Sequence, residues 1–228
     1  MNITYKVNRS RKRRKTISLQ IRNEAEVVIS APYFTTAEEI SHFVEEKQNW
    51  INKTILKQKE NSLENKTKEY ETGEHFFYLG QAYPLEVFSE PFENAGVVFW
   101  KNCFYLNAQE DKDLRKQYFV SWYKKKAHDF IHQRVEFFSG MLKFQPGKIK
   151  ITSAQSRWGS CSEDNNLAFS FRLIMAPPDI IDYVIVHELA HIREKNHSLK
   201  FWQRVEEVVP EYKKHRRWLK DNHHNFVL

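Results

Sequence analysis

Cysteine, glycine and proline are all scarce in this chain. The two cysteines, Cys103 and Cys161, are too few for the disulfide framework of a small secreted domain, which points to reduced thiols. Six glycines and seven prolines exclude collagen-like and linker-dominated sequences. Long apolar runs are missing too. The most apolar stretch, 180–186, already contains Asp182 and falls far short of the ~20 residues a bilayer requires. The basic residues 1–16 are not followed by the apolar core and small-residue cleavage site of a secretory signal, so the expectation is a soluble, cytoplasmic protein. What is present is ample material for a core, since 41% of residues are hydrophobic and 14% aromatic, which excludes wholesale disorder. A length of 228 residues allows one large domain or two small ones. The net charge of +7 invites an anionic partner, but it is modest for this length.

Apolar patterning divides the chain. Thr16, Ile17, Leu19 and Ile21, alternating with Ser18 and Gln20, read as a strand. Val27, Val28 and Ile29 make a second, and a turn over 23–26 would join the two as a hairpin. Thr35 and Thr36, each three residues ahead of Glu38 and Glu39, offer overlapping capping boxes for a helix over about 37–60. Its apolar spacing runs through Ile40, Phe43, Val44, Trp50, Ile51 and Ile55, and the polar stretch 57–71 reads as a linker. Short apolar runs between Gly80, Pro84, Pro91 and Gly96 predict a second group of strands up to residue 107. A long helix follows over 111–140, then a strand from 149 to 161, another over 167–171, and a helix opened by Pro177 and Pro178. The fold class is α+β, with a β-rich N-terminal region over 1–107 and a helical C-terminal domain over 108–228.

The chemistry concentrates in Val186-His187-Glu188-Leu189-Ala190-His191. On a helix His187 and His191 stand about 40° apart, so both imidazoles can face one metal ion. Glu188, about 100° from His187, can face the open side of that ion as a general base rather than act as a ligand. Catalytic zinc normally takes three protein ligands and a water. His197 is the preferred third ligand, with Glu206 or Glu207 as the alternative. Along a straight helix His197 would lie about 9 Å beyond His191, so the chain must bend, and Asn196 in a left-handed conformation could supply that bend. Ser198 then caps a helix carrying Phe201, Trp202, Val205 and Val208. A weaker pair, His128 and His132 with Asp129 between them, lacks a nearby third histidine and reads as structural.

The chain resembles the YgjP-like family of predicted metal-dependent hydrolases, metallopeptidase-like relatives of SprT-type zincins. The resemblance rests on Ser156-Arg157-Trp158-Gly159-Ser160-Cys161-Ser162, on Asp182 through His191, on Asn196-His197-Ser198 and on Phe201-Trp202. Val209-Pro210, Trp218-Leu219 and the weaker Arg14-Lys15-Thr16-Ile17-Ser18-Leu19 and Ala31-Pro32 extend it over nearly the whole chain. It implies a zincin-like metallopeptidase core at the C-terminus, a Zn2+ cofactor held by His187, His191 and His197, and Glu188 as general base. It also implies that 157–161 lies beside the helix bearing these ligands.

The function these readings support is a zinc metallopeptidase acting on a peptide or protein. The alternative is a nucleic-acid-associated module, either a DNA-linked protease or a structural-zinc protein, using the basic clusters at 9–15 and 213–217. Both clusters read more simply as solvated faces. Arg157 is a candidate oxyanion donor against the plainer reading of a salt bridge. Cys161, Trp158 and Trp202 read as packing residues.

Overall fold

The computed structural model describes residues 3–21, 26–64, 68–88, 95–108, 111–226 and 228; for 57–64 and 224 it describes the backbone alone. Helices and sheets are mixed throughout, with six α-helices and three sheets among the described residues. None of those helices is long and apolar enough to cross a membrane. Internal contacts divide the chain into two compact units, Met1–Lys66 and Thr67–Leu228. The strands over 75–107, grouped by composition with the N-terminal region, share one buried cluster with the helices of the second unit.

In the first unit, β1 (Tyr5–Ser10), β2 (Ser18–Ile21) and β3 (Val27–Pro32) form a sheet in the order β1-β3-β2. The expected β2–β3 hairpin is antiparallel, pairing Leu19 with Ile29. Most of its turn, at 22–25, lies outside the described residues. β1 runs parallel to β3, and the basic residues 11–15 form the connection from β1 to β2 rather than a strand face. Of the overlapping capping boxes the second forms. The Thr36 hydroxyl accepts from the Glu39 amide at 3.1 Å, and the Thr36 amide donates to the Glu39 carboxylate at 2.8 Å. The helix predicted over 37–60 is two, α1 (Ala37–Glu46) and α2 (Gln48–Glu64). They break at Lys47, which has a ψ of 1° and an amide shared between the Phe43 and Val44 carbonyls. Ile40, Val44 and Ile51 bury against Val27, Ile29 and Ala31. Trp50, adjacent to Ile51 and so about 100° around the helix from it, stays half exposed.

The second unit begins with a four-stranded sheet of β4 (His75–Tyr78), β5 (Gln81–Phe88), β6 (Gly96–Trp100) and β7 (Cys103–Asn107), ordered β4-β5-β7-β6. Both two-residue hairpin turns place successive residues at positive φ, Leu79 with Gly80 and Lys101 with Asn102, which suits the right-handed twist of the strands they join. The first turn is docked: Leu79 and Gly80 donate their amides to the Ile174 and Met175 carbonyls at 2.9 and 3.0 Å. A Cβ on Gly80 would stand 2.7 Å from Pro177 Cγ, so only glycine fits. Against the sheet lies α3 (Lys112–Leu142), capped by Asp111 and ended by Lys143 in the left-handed conformation, slightly beyond the predicted stop at Gly140. Phe76 and Phe119 stack between helix and sheet at 4.2 Å, and Phe104 packs edge-on against Trp122 at 5.0 Å. Tyr70, assigned from polarity to the linker, is 1% exposed and stacks on Phe76.

The predicted strand from 149 to 161 is two, β8 (Ile149–Thr152) and β9 (Gly159–Cys161), separated by an irregular segment. Both pair with β10 (Leu167–Ser170), β8 in parallel and β9 antiparallel, so β9 is an edge strand of this sheet. A 3₁₀ segment (Phe171–Met175) leads to α4 (Pro178–Ala190), which packs on β9 and α3 and buries Ile180, Ile181, Val184, Ile185, Val186 and Leu189. Asp182 of α4 takes a two-pronged ion pair from Arg134 of α3, at 2.7 and 2.6 Å. α5 (Leu199–Val208) and α6 (Tyr212–Asn222) complete the unit and pack against α4.

Candidate metal centre

α4 presents His187 and His191 from successive turns, with His191 as its C-cap. The helix ends there rather than near Asn196. Amides of Ile192 and Arg193 return to the Leu189 and Ala190 carbonyls, and none of the residues at positive φ among those described is Asn196. The turn over 191–196 is held from outside. Lys195 reaches the β9–β10 connection, donating to the Ser162 carbonyl at 2.9 Å and to the Asn165 side chain at 2.8 Å. The Ser198 hydroxyl then caps α5 through the Phe201 amide. This short route swings His197 back over α4.

Among the described residues, His187, His191 and His197 form a group whose ligating atoms all lie within 4.8 Å of one another. The Nε2 atoms of His187 and His197 are 3.0 Å apart. Two nitrogens bound to one tetrahedral zinc at about 2.0–2.1 Å stand about 3.3 Å apart, so the spacing fits. His191 makes its Nδ1 contact with the Glu194 carbonyl at 3.0 Å, which directs its other nitrogen to the cluster. Phe201, fully buried, floors all three rings at centroid distances of 4.8, 4.5 and 4.7 Å. Trp202 stacks on His197 and Tyr212 on Trp202.

The surroundings favour the neutral form of His187 and His197, the form that ligates metal. Burial, then His191, His197 and Arg216, pushes the His187 pKa down to about 3. His197 is lowered by burial, His191 and Arg216. Nδ1 of His187 is buried without a hydrogen-bond partner among the described residues, leaving that ring held by packing. Glu206 and Glu207, the alternative third ligands, are exposed on α5, and Glu206 lies 4.0 Å from Lys213. His128 and His132 approach to 4.1 Å between ring centroids but join no group of three among the described residues.

Glu188 is 6% exposed, and burial alone raises its pKa to about 7. Its carboxylate lies against Gly159 of β9, where a Cβ would come within 2.7 Å of Oε1 and 2.6 Å of Cγ. The edge strand therefore approaches the helix as closely as a backbone can, and a side chain there would displace the carboxylate. Cys161, two residues on, stays outside the histidine group, and burial raises its thiol pKa.

His187 and Glu188 open into a cavity of about 760 Å³. Arg157 and Trp158 line it, as does Tyr183, one turn before His187 and with its ring 5.9 Å from that imidazole. Burial raises the Tyr183 phenol to about 12, so it keeps its proton. The sequence reading did not single out Tyr183, although its i−4 spacing from His187 was a usable signal. Arg216 and Lys220 also face this cavity. Arg216 had been grouped with a basic exposed face, and its neighbours Lys213 and Lys214 do pair there with Glu206 and Glu211.

The model of the YgjP-like metallopeptidase domain matches residues 15–222. The chain belongs to that family. Membership supports a metal-dependent hydrolase acting on protein or peptide. Among solved structures, the metallopeptidase zymogen abylysin of Pyrococcus abyssi is similar over 40% of this chain and 92% of its own, at 23% identity and a TM-score of 0.37. That likeness is too slight to bear on the site. No curated protein sequence matches the chain.

Proposed function

We propose that this YgjP-like protein is a zinc-dependent metallopeptidase in which His187, His191 and His197 hold the metal and Glu188 moves the proton. The observation that carries the proposal is the convergence of three imidazoles within 4.8 Å beside a buried carboxylate at a cavity mouth. Zinc, when bound, would supply Lewis acidity for an amide carbonyl and acidify a water towards neutrality.

The chain's own residues do the rest. Phe201 and the Glu194 carbonyl fix the rings, so little ordering remains to be done on binding. Glu188, with a pKa raised towards neutrality by burial, can accept a proton from water and return it to the leaving nitrogen. Tyr183 and Arg157 line the cavity as candidate donors to a developing oxyanion. β9, the edge strand beside Glu188, offers backbone groups along which an extended peptide could pair. The donor set favours this reading over a structural-zinc module, which closes its site with four ligands, usually including cysteine.

Metal analysis and hydrolysis of a peptide library test the proposal together. Wild-type protein is expected to carry near-stoichiometric zinc and to cleave, and His197→Ala to lose the metal. Glu188→Gln is expected to keep the metal and lose at least ~10²-fold in turnover. A zinc-loaded Glu188→Gln protein as active as wild type refutes the assigned role.

A further inference from the structure

Five cations line the cavity next to Glu188, drawn from four separate segments. They are Lys116 of α3, Arg157 between β8 and β9, Arg172 of the 3₁₀ segment, and Arg216 and Lys220 of α6. Glu188 is the one carboxylate side chain among the lining residues. Some basic residues on these elements that face elsewhere find acidic partners. Arg134 and Lys112 of α3 pair with Asp182 and Glu69, while Lys213 and Lys214 of α6 pair with Glu206 and Glu211. Among the described residues, none of the five cavity cations has such a partner. All five are therefore available to a bound anion.

Two of the five are also fixed in place. Arg172 is half-buried, donates to the Ser153 carbonyl at 3.2 Å and lies 4.5 Å over the Phe171 ring. Arg216 lies 5.3 Å over the Trp202 ring. Gathering like charges around a concave, partly apolar wall, with Trp158, Val184 and Phe226 among them, is unfavourable until an anion enters. A cavity of about 760 Å³ has the size of a pocket for a side chain or chain end, unlike the open basic stripe that tracks a nucleic-acid backbone.

We infer that this cavity is a carboxylate-binding subsite, and that the substrate is a peptide presenting to it either an acidic side chain or its own C-terminal carboxylate. The inference rests on the metallopeptidase reading and names its substrate class.

Binding separates the inference from that reading. Full-length, zinc-loaded protein carrying Glu188→Gln is titrated into fluorescein-labelled peptides of equal length, and anisotropy gives Kd at low and at high salt. One peptide is glutamate-rich with an amidated C-terminus, a second replaces glutamate by glutamine, and a third is the glutamine peptide with a free C-terminus. At least one carboxylate peptide is expected to bind roughly tenfold more tightly than the neutral amide, with the advantage shrinking in high salt. Preference for the first assigns the side-chain source, and preference for the third assigns the terminus. Adding Lys116→Gln, Arg157→Gln and Lys220→Gln, all at exposed positions, is expected to abolish the advantage, while Arg11→Gln with Arg13→Gln in the first unit leaves it intact. If the triple variant does not fold, Arg157→Gln alone is expected to weaken the preference roughly threefold. Equal affinity for all three peptides overturns the inference, as does a preference that survives loss of the cavity cations. Wild-type protein that binds a carboxylate peptide without cleaving it counts against the peptidase reading alone.

Discussion

Two neighbouring residues of α4 are tuned in opposite directions, and the metal-free protein should reveal it. In the folded chain Glu188 keeps its proton up to about pH 7, whereas in the unfolded chain it releases it near 4.5. Its contribution to stability is therefore complete below pH 4.5 and drains away as the pH rises to 7, a loss of about 3 kcal/mol. His187 behaves in the opposite sense. The unfolded chain takes up its proton below about 6.5 and the folded chain refuses it down to about 3. Its contribution is complete above pH 6.5 and is lost as the pH falls to 3, about 5 kcal/mol in all. Between pH 4.5 and 6.5 the two slopes, each about 1.4 kcal/mol per pH unit, cancel.

Substituting either residue unmasks the other. Over that window Glu188→Gln should gain about 3 kcal/mol with rising pH relative to wild type, and His187→Gln should lose about as much. Titrating groups remote from the pair are common to all three proteins and subtract out. His191 and His197 are coupled to His187, so their response belongs to the His187→Gln difference, while Glu188→Gln leaves that coupling in place. The assay is urea unfolding of chelator-treated protein followed by tryptophan fluorescence, which reports the second unit because five of the six tryptophans lie there. Parallel pH profiles for wild type and both variants would refute the account of burial given for this pair.

Three further outcomes follow from the packing. Gly159→Ala, whose Cβ would stand 2.6 Å from Glu188 Cγ, should move the carboxylate by a large fraction of an ångström; turnover should fall roughly 10²-fold at unchanged zinc content, read by kinetics and metal analysis. Phe201→Ala removes the floor beneath three imidazoles and should cost about 3–5 kcal/mol in denaturant unfolding, with weaker zinc retention against a chelator. Asp182→Asn breaks the two-pronged pair between α3 and α4 and should cost about 1–2 kcal/mol, less in high salt; no loss would mean that packing alone registers the helices.

Local chemistry was legible in the sequence wherever a few adjacent residues carry it. The Thr36–Glu39 capping box, the Ser198 cap and the His187/His191 spacing each depend on one turn of chain, and each is found in the structure. Features made by distant partners were not legible. Asn196 was credited with the bend towards His197, but the bend begins at His191 and is held by Lys195 on the β9–β10 connection, some thirty residues away. Tyr70 looked like linker because its neighbours are polar, yet aromatic rings from a strand and a helix enclose it. The cavity cations come from four segments, so no window of sequence brings them together. Periodicity reports which face of an element is buried, and it is silent on which element buries it.

Hairpin tips are the usual places to graft a tag, a fluorophore or an extra loop, because solvent tolerates whatever is added. The two tight turns in the first sheet of the second unit differ on this point. The one at Lys101 and Asn102 is exposed and should accept a graft. The one at Leu79 and Gly80 is spoken for by the Ile174 and Met175 carbonyls and by Pro177, immediately before the helix that carries His187 and Glu188. Engineers seeking a silent attachment point should choose the former, and those wanting a remote handle on the reactive centre should choose the latter.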